Sequence, residues 1–75
     1  MKIRVSAAMK GQEIVELLTT NIEGTCRFTF NGKTGMNYSF DVGGSEDPEE
    51  AIALVKKLIR ATDYGKVLYF SVSAE

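Results

Sequence analysis

"TCRFTFNGKTGMNYSFDV", Thr25 to Val42, is the stretch on which the fold turns. Cys26, Phe28 and Phe30 alternate with Arg27 and Thr29, and further on Met36, Tyr38, Phe40 and Val42 alternate with Asn37, Ser39 and Asp41. Successive side chains of a strand point to opposite faces, so each run reads as a strand with one buried side. Between them "NGKTG" supplies Asn31, Gly32 and Gly35 for the positive-φ positions of a reversal. The stretch predicts a β-hairpin that turns across Asn31–Gly35 and buries Phe28, Phe30, Tyr38 and Phe40.

On the N-terminal side, Ile3, Val5 and Ala7 alternate with Lys2, Arg4 and Ser6 and predict a first strand. Ile14, Val15, Leu17, Leu18 and Ile22 then recur at helical spacing. They predict an amphipathic helix that starts near Gly11 and fades around Thr20, where β-branched residues and Gly24 oppose it. On the other side lies "DVGGSEDPEEA", Asp41 to Ala51, with two glycines and five carboxylates. It matches neither a dinucleotide nor a phosphate-binding glycine loop, and it lacks the ligand alternation of a calcium loop. It reads as a helix start: Asp47 as N-cap, Pro48 at the first helical position and Glu50 as the capping-box partner. Lys56, Lys57 and Arg60 sit towards the far end, where the helix dipole favours cations. That helix should end near Thr62. "KVLYFSVS" from Lys66 then predicts a last strand, with Leu68, Phe70 and Val72 on one side and Tyr69 and Ser71 on the other.

The order is β-α-β-β-α-β in 75 residues, which is one domain over positions 1–75. One-sided strands and one-sided helices imply an α+β two-layer sandwich. The expected form is a four-stranded, mainly antiparallel sheet with two helices on one face, the ferredoxin-like split β-α-β arrangement. Its strands from Lys2 and Gly35 should be central.

Composition narrows the chemistry. A net charge of −1 gives no electrostatic reason to seek nucleic acid or an anionic membrane. No apolar run has the length of a secretory leader or a membrane span, so a cytoplasmic protein is the expectation. Histidine is absent and Cys26 is the one cysteine, which removes the usual ligand sets for zinc and copper. It also leaves general acid–base work at neutral pH to a shifted carboxylate or lysine. Cys26 shares the face of Phe28 and reads as a buried, inert thiol. No catalytic residue, cofactor or metal is expected.

Known families with this element order carry motifs that are missing here. RNA-recognition modules display aromatics on the open face of their central strands, where this chain has Arg4, Ser6, Asn37 and Ser39. Metal-transport domains place Cys-x-x-Cys after the first strand, where this chain reads "AAMKGQE". The segment "FNGKTGMNYSF" resembles the hairpin of the histidine phosphocarrier of sugar uptake, without that family's phosphorylated histidine. Amino-acid-sensing regulatory domains use a glycine in the first strand–helix loop, where Gly11 stands.

Surfaces remain. The open face of the sheet should show Arg4, Arg27 and Tyr69. On the second helix, Ala51, Leu54, Leu58 and Ala61 form an apolar row beside the core stripe of Ile52, Val55 and Ile59. These features predict a small non-enzymatic interaction module that binds a protein partner, a second copy of itself included. Its expected contact residues are Leu54, Leu58, Tyr69, Arg4 and Arg27. The alternative is a regulatory domain that binds a small metabolite near the Met9–Gln12 loop.

Overall fold

The computed structural model describes Met1–Glu75. Strand β1 (Lys2–Ala7) leads into helix α1 (Gly11–Thr19), and strands β2 (Arg27–Thr34) and β3 (Asn37–Gly43) follow. Helix α2 (Pro48–Arg60), a single 3-10 turn at Tyr64–Lys66 and strand β4 (Phe70–Ala74) complete the chain. The four strands form one antiparallel sheet in the order β2-β3-β1-β4, so β1 and β3 are central and the class is α+β. One apolar cluster takes Ile3 and Val5 from β1, Phe40 from β3, Ile14 and Leu18 from α1, and Val55 and Ile59 from α2. No helix is long and apolar enough to cross a membrane.

β1 shows how the sheet is assembled. Its odd residues bond to β3: Ala7 N–H donates to the Met36 carbonyl, and Val42 N–H donates to Met1. Its even residues face β4, as the bond from Glu75 N–H to the Lys2 carbonyl and the pairs Arg4–Ser73 and Ser6–Ser71 show. Ile3 and Val5 are also wholly buried.

The hairpin differs from its sequence reading at the turn. Gly35 and Met36 alone make the reversal, with Gly35 at φ 61°, a positive-φ glycine at the first of two turn positions. Asn31 and Gly32 lie within β2 instead. Phe30 pairs with Phe40 and Gly32 with Ser39, so Asn31 is the extra residue of a β-bulge. The bulge shifts the inward alternation only beyond Phe30, where it brings Lys33 opposite Tyr38. Phe28 is buried, but Phe30 stays 39% exposed at the margin of the core, its ring centroid 5.6 Å from that of Phe40. Met36, in the turn rather than the strand, is 59% exposed.

α2 begins as its cap residues dictate, with one change of partner. Asp47 accepts from Glu49 N–H at 3.0 Å, and Pro48 opens the helix. Glu50 does not return to Asp47, because Ser45 Oγ already accepts the Asp47 N–H at 3.1 Å. The Glu50 carboxylate instead crosses to the start of β2 and accepts from Thr25 Oγ1 at 2.8 Å. The chain approaches itself closely here. Gly44 has φ 86°, and a Cβ on it would stand 1.9 Å from the Thr25 carbonyl oxygen.

The last strand begins later than its period-two pattern predicts. α2 stops at Arg60, where Thr62 Oγ1 accepts the Gly65 N–H at 2.9 Å and stabilises the 3-10 turn. Tyr64 and Leu68 pack half-buried against the core. Val67 and Tyr69 lie outside the strand and point away from it, 87% and 93% exposed. The alternation from Lys66 is therefore that of a crossover segment, and only Phe70–Ala74 pairs with β1.

Asp47→Ala should lower the unfolding free energy by about 1 kcal/mol in urea titrations, the usual cost of a lost N-cap. Gly44→Ala should lower it further, since a side chain must displace backbone at a left-handed position. Equal losses would contradict the close approach at Thr25.

Candidate functional site

The residues proposed from sequence as a contact surface do not gather in one place. Leu58 is buried in the core, with Ala51 beside it in the same cluster. Leu54 is half-buried, its Cδ2 placed 3.3 Å from where a Gly24 Cβ would be. The second apolar row is thus largely an inner face of α2, widened because the loop before β2 also covers it. Arg27 is exposed but occupied. Its Nη1 donates to the carbonyls of Gly24 at 2.9 Å and Cys26 at 2.8 Å, and its Nη2 to that of Ile22 at 3.3 Å. It ties down the loop between α1 and β2.

Arg4 stands exposed in the middle of the open sheet face, between Ser39 of β3 and Ser73 of β4. Both of these cross-strand neighbours carry small hydroxyls. Ser39 Oγ donates to Glu75 Oε1 at 3.0 Å, and Ser6 Oγ donates to Asn37 Oδ1.

Tyr69 is the predicted contact residue that borders concave surface, and it borders two clefts. The first, about 230 Å³, lies at the end of the sheet between Ala7, Ala8, Met36 and Phe70. The second, about 340 Å³, runs between α2 and β4. Leu68, Phe70 and Val72 form its apolar side, and Lys56 and Arg60 supply cations, with no carboxylate in the lining. Sequence reasoning missed this second cleft. Lys56 and Arg60, four residues apart, carried the signal of one shared helix face, but their fit to the helix dipole accounted for them already.

The first strand–helix loop is closed at the predicted metabolite glycine. A Cβ on Gly11 would lie 1.7 Å from the Tyr38 hydroxyl oxygen, so Gly11 serves as a seat for that side chain. Lys10, just before it, holds a left-handed φ of 63°. The acidic stretch is similarly committed, Asp47 to its cap and Glu50 to Thr25.

Cys26 is fully buried. Burial pushes its thiol pKa up, and the negative charge of Glu50, whose Oε1 lies 3.9 Å from Sγ, pushes the same way. Tyr64 is also raised, chiefly by burial, with Glu13 and Glu16 adding to the shift. Neither group is set up as a nucleophile at neutral pH.

No family model, curated protein or solved structure matches the chain.

Because the folded thiol holds its proton more tightly than the unfolded one, Cys26 stabilises the protein fully below the unfolded thiol's pKa of about 8.5. That contribution is lost as pH rises towards the folded value. Urea titrations between about pH 7.5 and 9, below where an unfolded tyrosine begins to ionise, should show stability falling with pH, and Cys26→Ala should flatten the slope. A thiol reagent should react slowly with native protein and fast with unfolded protein. Equal rates would contradict the burial.

Proposed function

We propose that this chain is a small non-enzymatic interaction module that binds a protein partner. The observation that carries the reading is the concentration of unsatisfied surface at one corner. Tyr69 is 93% exposed, Val67 is 87% exposed, and the two clefts meet at Tyr69. Protein contacts favour such amphipathic aromatics, which bury a large area at low entropic cost. Elsewhere, Arg27, Asp47, Glu50 and Glu75 are engaged with the chain's own backbone or with small hydroxyls.

The same proposal takes the fold as the two-layer, ferredoxin-like split β-α-β arrangement. The strand order β2-β3-β1-β4 and a core fed by both helices support it. That arrangement leaves one sheet face and two strand edges for contact. The setting we propose is the cytoplasm.

A second reading has its own observation. The 230 Å³ cleft reaches Ala8 beside the Met9–Gln12 loop and is walled by Met36 and Phe70, so a small apolar metabolite would fit there. Native mass spectrometry of protein purified from its source cells separates the two readings. A defined small-molecule adduct favours the metabolite, and its absence removes that reading.

Site-specific photo-crosslinking in the source cell tests the interaction module itself. A photoreactive side chain at position 69 should capture one defined protein, identified by mass, and the same group at Glu13 on α1 should not. Sedimentation equilibrium of the purified chain tells whether that protein is a second copy. Capture of nothing at position 69, or the same proteins at both positions, would overturn the reading.

A further inference from the structure

The two edges of the sheet are not equivalent. The outer edge of β2 carries the bulge at Asn31 and the cation Lys33, devices that discourage another strand from pairing. β4, "FSVSA", has neither a bulge nor a charge nor a proline. Ser71 and Ser73 face β1 with their backbone groups, and Glu75 N–H bonds to Lys2. By the alternation of an antiparallel ladder, the N–H and C=O groups of Phe70, Val72 and Ala74 point outward. β4 pairs only with β1, so that outer row has no strand partner.

Beside this row lies the α2–β4 cleft. Phe70 and Val72 are only half-buried and offer it an apolar side, while Lys56 and Arg60 stand across from them. A strand added to β4 would send alternate side chains into this cleft and the others to the open face.

From this geometry we infer that the β4 edge receives an extended segment of another protein, with acidic side chains at alternate positions, by β-strand addition. This rests on the interaction-module reading and names its partner's chemistry. Main-chain bonds to Phe70, Val72 and Ala74 supply the pairing, and the alternate side chains supply selectivity. Carboxylates two residues apart meet Lys56 and Arg60, and an apolar residue two positions further on, on the same face, lies on Phe70 and Val72.

Charge argues against a second copy as the occupant. A two-fold antiparallel seam along β4 brings two such clefts together, so the Lys56 and Arg60 side chains of the copies would face one another. "FSVSA" brings no carboxylate to offset them. Glu75, just beyond it, turns to the open face, where Ser39 holds it.

The test uses the intact protein and a capped peptide, acetyl-Thr-Glu-Thr-Glu-Thr-Val-amide, whose Glu and Val side chains share one face. Titration followed by amide NMR should move Phe70, Val72, Ala74 and the α2 residues around Lys56. Binding should weaken by about fivefold or more when salt rises from about 50 to 500 mM. The lysine-for-glutamate peptide should not bind. Lys56→Glu/Arg60→Glu, at half-buried and exposed positions, should lose at least about tenfold for the acidic peptide and accept the lysine peptide instead. Val72→Pro removes an outward N–H without touching the β1 ladder and should abolish binding of either peptide.

Shifts confined to residues away from β4, equal binding of both peptides, or no binding at millimolar peptide would overturn the inference. Those results leave the photo-crosslink at position 69 unaffected, so the two readings fail separately. A stable dimer of the native protein that Val72→Pro disrupts would show that a second copy takes the edge instead.

Discussion

Everything in this structure depends on β1 being used on both sides at once. Its odd residues exchange backbone bonds with β3, its even residues with β4, and Ile3 and Val5 fill the centre of the core. A strand committed in this way has no freedom of register, because a shift by one residue would turn Ile3 and Val5 out to solvent. The consequence reaches β4. Once Ser71 and Ser73 are fixed against Ser6 and Arg4, Phe70, Val72 and Ala74 must direct their backbone groups away from the sheet. The open edge is thus a by-product of how the centre is built, and the unguarded composition of β4 leaves it usable.

The elements with strong periodicity were legible in the sequence. Both helices, the first strand and the two arms of the hairpin stand where the spacing of Ile14 and Leu18, of Val55 and Ile59, and of Phe28, Phe40 and Val42 places them. Local patterns failed where tertiary demands competed. Asn31-Gly32 is a strong turn signal, yet the chain spends it on a bulge because Gly35 can make a tighter reversal. The alternation of "KVLYFSVS" is strand-like throughout, yet its first half must carry the chain from the end of α2 to the edge beside β1. Glu50 fits a capping box, but Ser45 reaches the Asp47 N–H first and frees it for Thr25.

The contact surface was less legible for a related reason. Helical-wheel geometry shows which residues share a face, not what else covers that face. Leu54 and Leu58 looked surplus to the core stripe until the loop at Gly24 folded over α2. Arg27 looked free until the carbonyls of Ile22, Gly24 and Cys26 converged on it. Conversely, the cleft with Lys56 and Arg60 joins α2 to a strand ten or more residues away, and no single window of sequence contains both. Arg4 and Tyr69 are exposed as expected, Tyr69 from a position just ahead of the strand to which its alternation assigned it.

Backbone amide hydrogen exchange along β4 tests the central claim most directly, since protection follows which N–H groups are bonded. Ser71, Ser73 and Glu75, directed at β1, should exchange slowly. Phe70, Val72 and Ala74 between them should exchange fast, in strict alternation. Uniform protection along Phe70–Ala74 in the isolated protein, or slow exchange at the even positions instead, would contradict the account of an open β4 edge.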